Sequence, residues 1–231
     1  MSIRTRIKGK RSGTMFCALG ILLFVFSSNL SALTMDDITS WWKLDEKSGE
    51  IATDSKGSNN GTLMNMDAKS CWVDGKNGKA LKFDGSNNYV RLTEDLTLSL
   101  AGSTLSCWIK LDDKEDNCLF GNSGTSSYKY IRRTKDGRIA IECDNNNKYL
   151  LTAQHQLEDN DWHHLVVVFE GKKSKIWLDG KILPISKNTM NADLTLNLIG
   201  VRKKLDYLNG MIDEIVVYKR ALTKNEISKL K

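Results

Sequence analysis

The chain has 231 residues, enough for one all-β domain with a full core or for two small domains at most. Its formal net charge is +6 at pH 7, but residues 1–32 carry five Lys and Arg residues and no acidic residue, so the remainder has a net charge of +1. A remainder this close to neutral has no basic field that would attract nucleic acid or an anionic membrane surface, which argues against both classes of partner.

Residues 1–32 have the organisation of a secretory signal peptide. Basic residues precede an unbroken apolar run from Met15 to Phe26, and Ser31-Ala32 offers a small-residue cleavage site. The run is too short to span a bilayer comfortably, although retention as an anchor is the alternative. The sequence therefore predicts a leader at 1–32, one domain at 33–231, and a secreted, periplasmic or cell-surface protein with no membrane span after cleavage.

From Trp41 onward, short segments alternate apolar and polar residues along the whole chain. This period of two is typical of strands with one buried face, and about ten to twelve short strands fit into the sequence. In chain order the main segments are SWWKLD, KALKFDG, NYVRL, STLSCWIKL, YKYIRR, RIAIEC, WHHLVVVFEG, SKIWLDG, LTLNLIG and GMIDEIVVYKR. Turns rich in Gly and Asn separate them, which predicts an all-β fold, a two-sheet antiparallel β-sandwich.

The last segment, ALTKNEISKLK, predicts a short C-terminal helix. Thr223 can cap it, and Glu226, three residues later, can return the hydrogen bond. Leu222 and Ile227 occupy the positions of a hydrophobic staple. A short helix should therefore close the domain.

The adjacent histidines His163 and His164 invite a metal or catalytic interpretation. Successive side chains on a strand point to opposite faces, so the two rings cannot converge on one metal or substrate atom. The sequence therefore predicts that both are structural. The same alternation predicts that the adjacent carboxylates Asp213 and Glu214 diverge, whereas a glycosidase needs two carboxylates that face one bond.

No Ser nucleophile elbow, P-loop or Gly-rich dinucleotide motif is present in the sequence. No catalytic residues are therefore predicted, and the sequence favours a protein that is not an enzyme.

Several aspartates lie at strand ends or in turns, where oxygen ligands can gather round a hard cation such as calcium; they are Asp45, Asp54, Asp84, Asp179 and Asp213. The alternative for each is that it caps its own turn. Asp213 differs because it interrupts an apolar strand. An ionised group there needs a partner, which a cation or a set of backbone amides would supply.

The six tryptophans are expected to lie mostly in the core, because tryptophan buries a large area. Tyr128, Tyr130 and Tyr149 adjoin polar loops and are the candidates for stacking on a ligand. Four cysteines follow the leader, Cys71, Cys107, Cys118 and Cys143. They allow two disulfides with three possible pairings, or they are buried thiols.

Fragments along the chain resemble the bacterial type of laminin-G-like jelly roll in the concanavalin A-like lectin/glucanase superfamily. The fragments are WKLDE, DSKG, NGTL, WV, GKALKFDG, YV, LSCWIK, WHH, WLDG and GMIDEIVVYKRAL. The resemblance implies a ligand-binding jelly roll that often holds a structural calcium, with Asp213 on the last strand and Asp45 or Asp54 near the first as its ligands. It also implies that WHH and LDG are framework residues.

From this resemblance we expect an exported, non-catalytic module that binds carbohydrate with a structural calcium. The loops GNSGTSS and DNNNK are where specificity is expected to lie. The alternatives are a cell-surface module for adhesion or protein interaction and, less favoured because no carboxylate pair was found, a polysaccharide hydrolase or lyase.

Overall fold

The computed structural model describes residues 33–124, 129–143, 149–152, 154, 157, 159–202 and 206–230, with the backbone alone described at Tyr149. Within these residues the strands form two antiparallel sheets, one of eight strands and one of nine. The predicted two-sheet antiparallel sandwich is confirmed. The described strands number seventeen, more than the sequence predicted, because several are edge strands of only two to four residues.

The eight-stranded sheet contains both the first and the last strand of the domain. From one edge its order is β14 (Lys181–Ile182), β13 (Lys175–Leu178), β12 (His163–Phe169), β7 (Ser103–Leu111), β17 (Asn209–Tyr218), β5 (Lys79–Asp84) and β4 (Trp72–Asp74), while β1 (Ile38–Trp42) also pairs with β17. Strand β17 therefore lies at the centre of this sheet and contacts three others.

The nine-stranded sheet is built mainly from the middle of the chain. Its order is β15 (Ile185–Asn188), β11 (Tyr149–Thr152), β10 (Ile139–Glu142), β9 (Tyr130–Arg133), β8 (Asn117–Gly121), β16 (Leu194–Ile199), β6 (Tyr89–Leu98), β3 (Gly61–Met64) and β2 (Ile51–Ala52). Four of its eight pairings join strands that are consecutive in the chain, namely β2–β3, β8–β9, β9–β10 and β10–β11.

The core lies between the inner faces of the two sheets. One continuous apolar cluster includes Trp42 and Phe83 from the eight-stranded sheet and Phe120 and Ile131 from the nine-stranded sheet, all at most 1% exposed. Alternation along each strand turns every second side chain inward, so this cluster accounts for the period of two in the sequence.

A second apolar cluster covers part of the outer face of the eight-stranded sheet. It contains Val166, Val168, Trp177, Val216, Tyr218, Leu222 and Ile227. Leu222 precedes the short helix α1 (Lys224–Ile227) and Ile227 is its last residue. The predicted capping box of this helix is present, with the Thr223 amide donating to the Glu226 carboxylate over 2.7 Å. The helix thus covers apolar surface that would otherwise face water.

Three of the cysteines, Cys71, Cys107 and Cys118, are buried thiols in no disulfide, and Cys143 is buried as well. Burial raises the pKa of the Cys107 thiol well above its ordinary value. The structure favours the buried-thiol alternative for those three residues. Among the described residues, no helix combines the length and hydrophobicity needed to cross a membrane.

Asp54 holds the loop that follows β2. One carboxylate oxygen accepts backbone amides from Trp41, Lys56 and Gly57 at 2.9 to 3.1 Å, and the other accepts the Asn59 amide at 3.2 Å. Burial alone would raise the pKa of Asp54, but these amides lower it overall. The carboxylate ties the loop to β1.

Replacing Asp54 by Asn should destabilise the domain by about 2–3 kcal/mol, because an amide cannot satisfy four converging N–H donors. The free energy of unfolding from denaturant titration at pH 7 measures this effect. The exposed Asp36, changed to Asn, is the matched control and should stay within about 0.5 kcal/mol of wild type. Equal stabilities of the two variants would contradict the structural role of Asp54.

Candidate functional site

The central strand β17 contains a bulge at its middle. Asp213 pairs with Trp108 of β7 and Val216 pairs with Ser106, so the register shifts between these two positions. Glu214, inside the bulge, has φ of 48°, a left-handed conformation that is uncommon for a residue other than glycine. Bulges of this kind are frequent beside functional sites, where they redirect a side chain.

The same bulge marks a change of neighbour along one edge of β17. Before it, residues 209–212 pair with β5; after it, residues 215–218 pair with β1. Asp213 and Glu214 therefore lie where one partner strand ends and the other begins. This interruption opens the outer face of the sheet.

A cavity of about 250 Å³ occupies this part of the outer face. Its lining residues combine aromatic rings with polar groups: Trp41, Asn77, Ser106, Trp108, His164, Glu214, Val216, Tyr218, Lys229 and Leu230. Directly opposed residues of antiparallel strands share a face, and His164, Trp108 and Asp213 form such a row across β12, β7 and β17. His164 and Trp108 of this row form the floor of the cavity, and Asp213 lies next to Trp108 without lining it.

Hydrogen bonds and ring contacts fix the side chains around this floor. The Trp41 indole Nε1 donates to Glu214 Oε2 over 2.7 Å, and Ser106 Oγ lies 2.8 Å from His164 Nε2. The His164 ring stacks on the half-buried Trp108, with 4.9 Å between ring centroids. Trp108 is therefore held in a defined orientation before any ligand arrives.

Asp213 lies beneath the cavity and is fully buried. Its Oδ2 accepts the backbone amides of Lys76 and Asn77 at 2.8 and 3.0 Å, whereas its Oδ1 has no hydrogen-bond partner. Burial, with a further contribution from the Glu214 charge, raises the pKa of Asp213 to about 6. Asp213 thus fixes the β4–β5 turn, which brings Asn77 to the cavity and the Lys76 ammonium to 4.5 Å from the Trp108 ring centroid.

The prediction that Asp213 and Glu214 diverge is wrong, because it assumed a regular strand. The bulge adds one residue to β17 and cancels the alternation at this point. Glu214 reaches the cavity, and Asp213 lies on the same side of the sheet beside Trp108.

The two histidines do diverge, as the alternation predicted. His163 Nδ1 lies 2.7 Å from Asp179 Oδ2 and its Nε2 lies 2.5 Å from Asp159 Oδ1, while His164 faces the cavity. Burial would lower the pKa of His163, but the two carboxylates raise it overall. Asp179 also accepts the His164 amide at 2.9 Å, so hydrogen bonds link the WHH and LDG segments, and their role as framework stays a prediction.

Of the tyrosines predicted to stack on a ligand, Tyr130 and Tyr149 lie on strands of the nine-stranded sheet. Tyr128 and the side chain of Tyr149 lie outside the described residues. Tyr130 is 6% exposed, its hydroxyl donates to Glu142, and the Arg132 and Arg202 guanidinium carbons lie 5.3 and 4.7 Å from its ring centroid. A stacking role for these tyrosines stays a prediction.

The three aspartates predicted as calcium ligands differ in how well they suit a cation. Asp54 does not fit, because four amide N–H groups already converge on it. Asp45 Oδ1 accepts the Lys79 amide at 2.9 Å, so Asp45 and Asp213 contact the same β4–β5 turn. Asp213 fits best, since its buried Oδ1 lacks a partner. No group of three His, Cys, Asp or Glu side chains in the described part of the chain could hold a metal, so calcium stays a prediction.

Sequence reasoning missed Trp41 and Trp108, which it assigned to the core along with the other tryptophans. Both are half-buried and line the cavity. The available signal was the pair Asp213-Glu214, two carboxylates in succession within an apolar strand. In a regular strand one of two adjacent carboxylates would face the core, so the pair is a signal that the strand is irregular at this point.

A family model described as the concanavalin A-like lectin/glucanases superfamily matches residues 84–228. No curated protein matches the chain. Among solved structures, domain 4 of AbnA, a GH43 extracellular arabinanase from Geobacillus stearothermophilus solved with arabinotriose, is 20% identical with a TM-score of 0.63; the match covers 84% of this chain and 98% of that domain.

Two further matches are parts of larger chains. A mutant Trypanosoma rangeli sialidase with trans-sialidase activity is 15% identical with a TM-score of 0.61, covering 87% of this chain and 33% of that one. The botulinum neurotoxin serotype D ligand binding domain, in complex with N-acetylneuraminic acid, is 14% identical with a TM-score of 0.60, covering 84% and 50%. At these identities the likeness shows the fold alone.

Asp213 should make the domain less stable as pH rises from about 4 to about 6 in buffer containing a chelator. Its folded-state pKa of about 6 exceeds the ordinary value of 3.8, so the folded state binds more protons than the unfolded state in this interval. The loss should be roughly 2–3 kcal/mol, measured by denaturant titration at several pH values. Asp213→Asn should abolish it and Asp36→Asn should retain it; the same pH profile in all three proteins would contradict the burial of this charge.

The calcium prediction has a separate test at neutral pH. If calcium binds Asp213 Oδ1, EDTA should lower the melting temperature of the wild type, and added Ca²⁺ should restore it. Asp213→Asn should not respond to either addition. Identical melting curves of the wild type with and without EDTA would rule calcium out as a structural ligand.

Proposed function

The chain belongs to the concanavalin A-like lectin/glucanases superfamily, and from this membership we propose that it is an exported, non-catalytic carbohydrate-binding module whose ligand occupies the cavity over Trp108. Membership of this superfamily establishes the β-sandwich but does not identify the ligand, because both binding modules and glycosidases have this fold. The proposal therefore depends on the geometry of the cavity.

The observation that carries the proposal is a half-buried Trp108 ring held in place beside hydrogen-bonding groups. A sugar presents apolar C–H faces and a rim of hydroxyls, so it needs a flat apolar surface with polar groups at the edge. Trp108 provides the surface, while Asn77, Glu214 and Ser106 provide donors and acceptors around it. Because ring and hydrogen-bond contacts already orient Trp108 and Glu214, these two side chains require little further ordering on binding.

The structural neighbours support a carbohydrate ligand in general terms. The arabinanase domain was solved with arabinotriose and the neurotoxin domain with N-acetylneuraminic acid. These are different sugars, so the neighbours support the ligand class and leave the individual sugar to the side chains of this chain. Export is proposed from the basic, apolar and small-residue pattern of residues 1–32.

A polysaccharide hydrolase is the second candidate, because the bulge puts Asp213 and Glu214 on one side of the sheet. Unequal environments often give two carboxylates different roles, and burial raises the pKa of Asp213 to about 6. Asp213 is nevertheless fully buried and does not line the cavity. One accessible carboxylate, Glu214, cannot flank a glycosidic bond on both sides, which favours binding over hydrolysis.

Trp108→Ala should abolish specific glycan binding, measured first on a glycan array and then by titration calorimetry with the best ligand. Loss of the stacking surface should reduce affinity at least tenfold, about 1.4 kcal/mol or more. Tyr89→Ala, a half-buried aromatic residue on the nine-stranded sheet, is the control and should retain binding.

The other functions would give different results in the same experiments. Glycan binding that Trp108→Ala leaves intact would place the ligand elsewhere, for example at the predicted tyrosines. Capture of a surface protein without glycan binding would support the adhesion module. Release of reducing ends that is lost in Glu214→Gln would support the hydrolase.

A further inference from the structure

We propose that the cavity over Trp108 selects glycans whose sugars carry a carboxylate, through lysine ammonium groups that have no carboxylate partner of their own. This inference rests on the proposed carbohydrate-binding function and specifies its ligand class. It depends on the charges around the cavity, which the fold itself does not dictate.

Four lysines surround the two tryptophans of the cavity. The Lys76 ammonium lies 4.5 Å from the Trp108 ring centroid, and the Lys43 ammonium lies 4.6 Å from that of Trp41. Lys229 lines the cavity. Lys110 lies two residues after Trp108 on β7, and therefore on the same face of the sheet.

These lysines differ from their neighbours in lacking a carboxylate partner. On the adjacent β5, Lys79 lies 2.8 Å from Asp74 and Lys82 lies 3.6 Å from Asp112. The four lysines are Lys43, Lys76, Lys110 and Lys229. None of their ammonium nitrogens lies within 4 Å of a carboxylate oxygen of a described residue. Their charges are thus open to an incoming anion.

The acidic groups of the site are fewer than these lysines. Glu214 lines the cavity and keeps its negative charge when the neutral Trp41 indole donates to its Oε2, and the Asp213 carboxylate is buried beneath the turn, where two backbone amides bind it. The four lysine ammonium groups around the cavity therefore outnumber these two carboxylates. An anionic ligand would meet a favourable field on approach.

Lys76 couples charge recognition to stacking. A sugar that stacks on the Trp108 face covered by Lys76 must displace the ammonium, which loses its cation–π contact. A neutral sugar has no charged group that could form an ion pair with the displaced ammonium. A sugar with a carboxylate offers it an ion pair, so the same movement of Lys76 favours acidic over neutral ligands.

The test compares a glucuronic-acid-containing oligosaccharide with the same oligosaccharide after its carboxyl groups are reduced to alcohols. The full chain should bind the acidic form about fivefold or more tightly in low-salt buffer, and the preference should shrink as salt is added. Lys76→Met should remove most of the preference while retaining or improving affinity for the neutral form. The control variant Lys173→Met changes an exposed lysine in the turn after β12. This turn follows the end of β12 that is opposite to His164, so the variant should behave as wild type.

The outcomes separate this inference from the proposed function. Equal affinity for the two oligosaccharides, with binding still lost in Trp108→Ala, overturns acidic selection and leaves carbohydrate binding intact. A preference for the acidic form that is equal in wild type, Lys76→Met and Lys173→Met overturns the role of Lys76. Binding of neither form, together with an array that shows no glycan ligand, overturns the proposed function itself.

Discussion

The outer face of the eight-stranded sheet depends on one extra residue in its central strand. Glu214 inserts into β17 with a left-handed backbone, and the strand changes its neighbour from β5 to β1 at that point. A continuous strand would have paired throughout and left a flat surface. The bulge instead opens a cavity, admits Glu214 to it and places Asp213 beneath it. Backbone strain at this position is thus associated with an opening in the surface and with the polar groups that line it.

The burial of Asp213 follows from the same feature. A carboxylate in the interior is unfavourable unless donors surround it, and here two amides of the β4–β5 turn bind one oxygen while the other has no partner. The group is therefore only partly compensated, which agrees with the upward direction of its pKa shift. The two amide contacts fix the position of the turn, and they thereby fix the backbone positions of Lys76 and Asn77. The buried charge acts on the cavity through the turn it holds.

Most of the fold could be predicted from the sequence, because alternation and turn residues are local properties that the sandwich preserves. The capping box of Thr223 and Glu226 and the divergence of His163 and His164 are of this kind. The site could not be predicted, because it arises where alternation fails. Nothing in the apolar pattern of β17 shows which residue is inserted, so the faces of Asp213 and Glu214 were assigned wrongly. Trp41 and Trp108 were assigned to the core because exposure depends on neighbouring strands that end early, which is a property of the assembled sheet.

The residues around the cavity divide into those that maintain the fold and those on which the proposed ligand specificity depends. Asp213, His163 and Asp179 hold turns and strand ends, so changes there disturb the sheet. Lys76 lies in a turn and Lys229 follows the last helix, and both ammonium groups project into solvent-exposed space without an ion-pair partner among the described residues. The charge of the cavity can therefore change without altering the framework that orients Trp108. Two solved structures with this fold, at 20% and 14% identity, contain different sugars, so the fold itself does not dictate which sugar is bound.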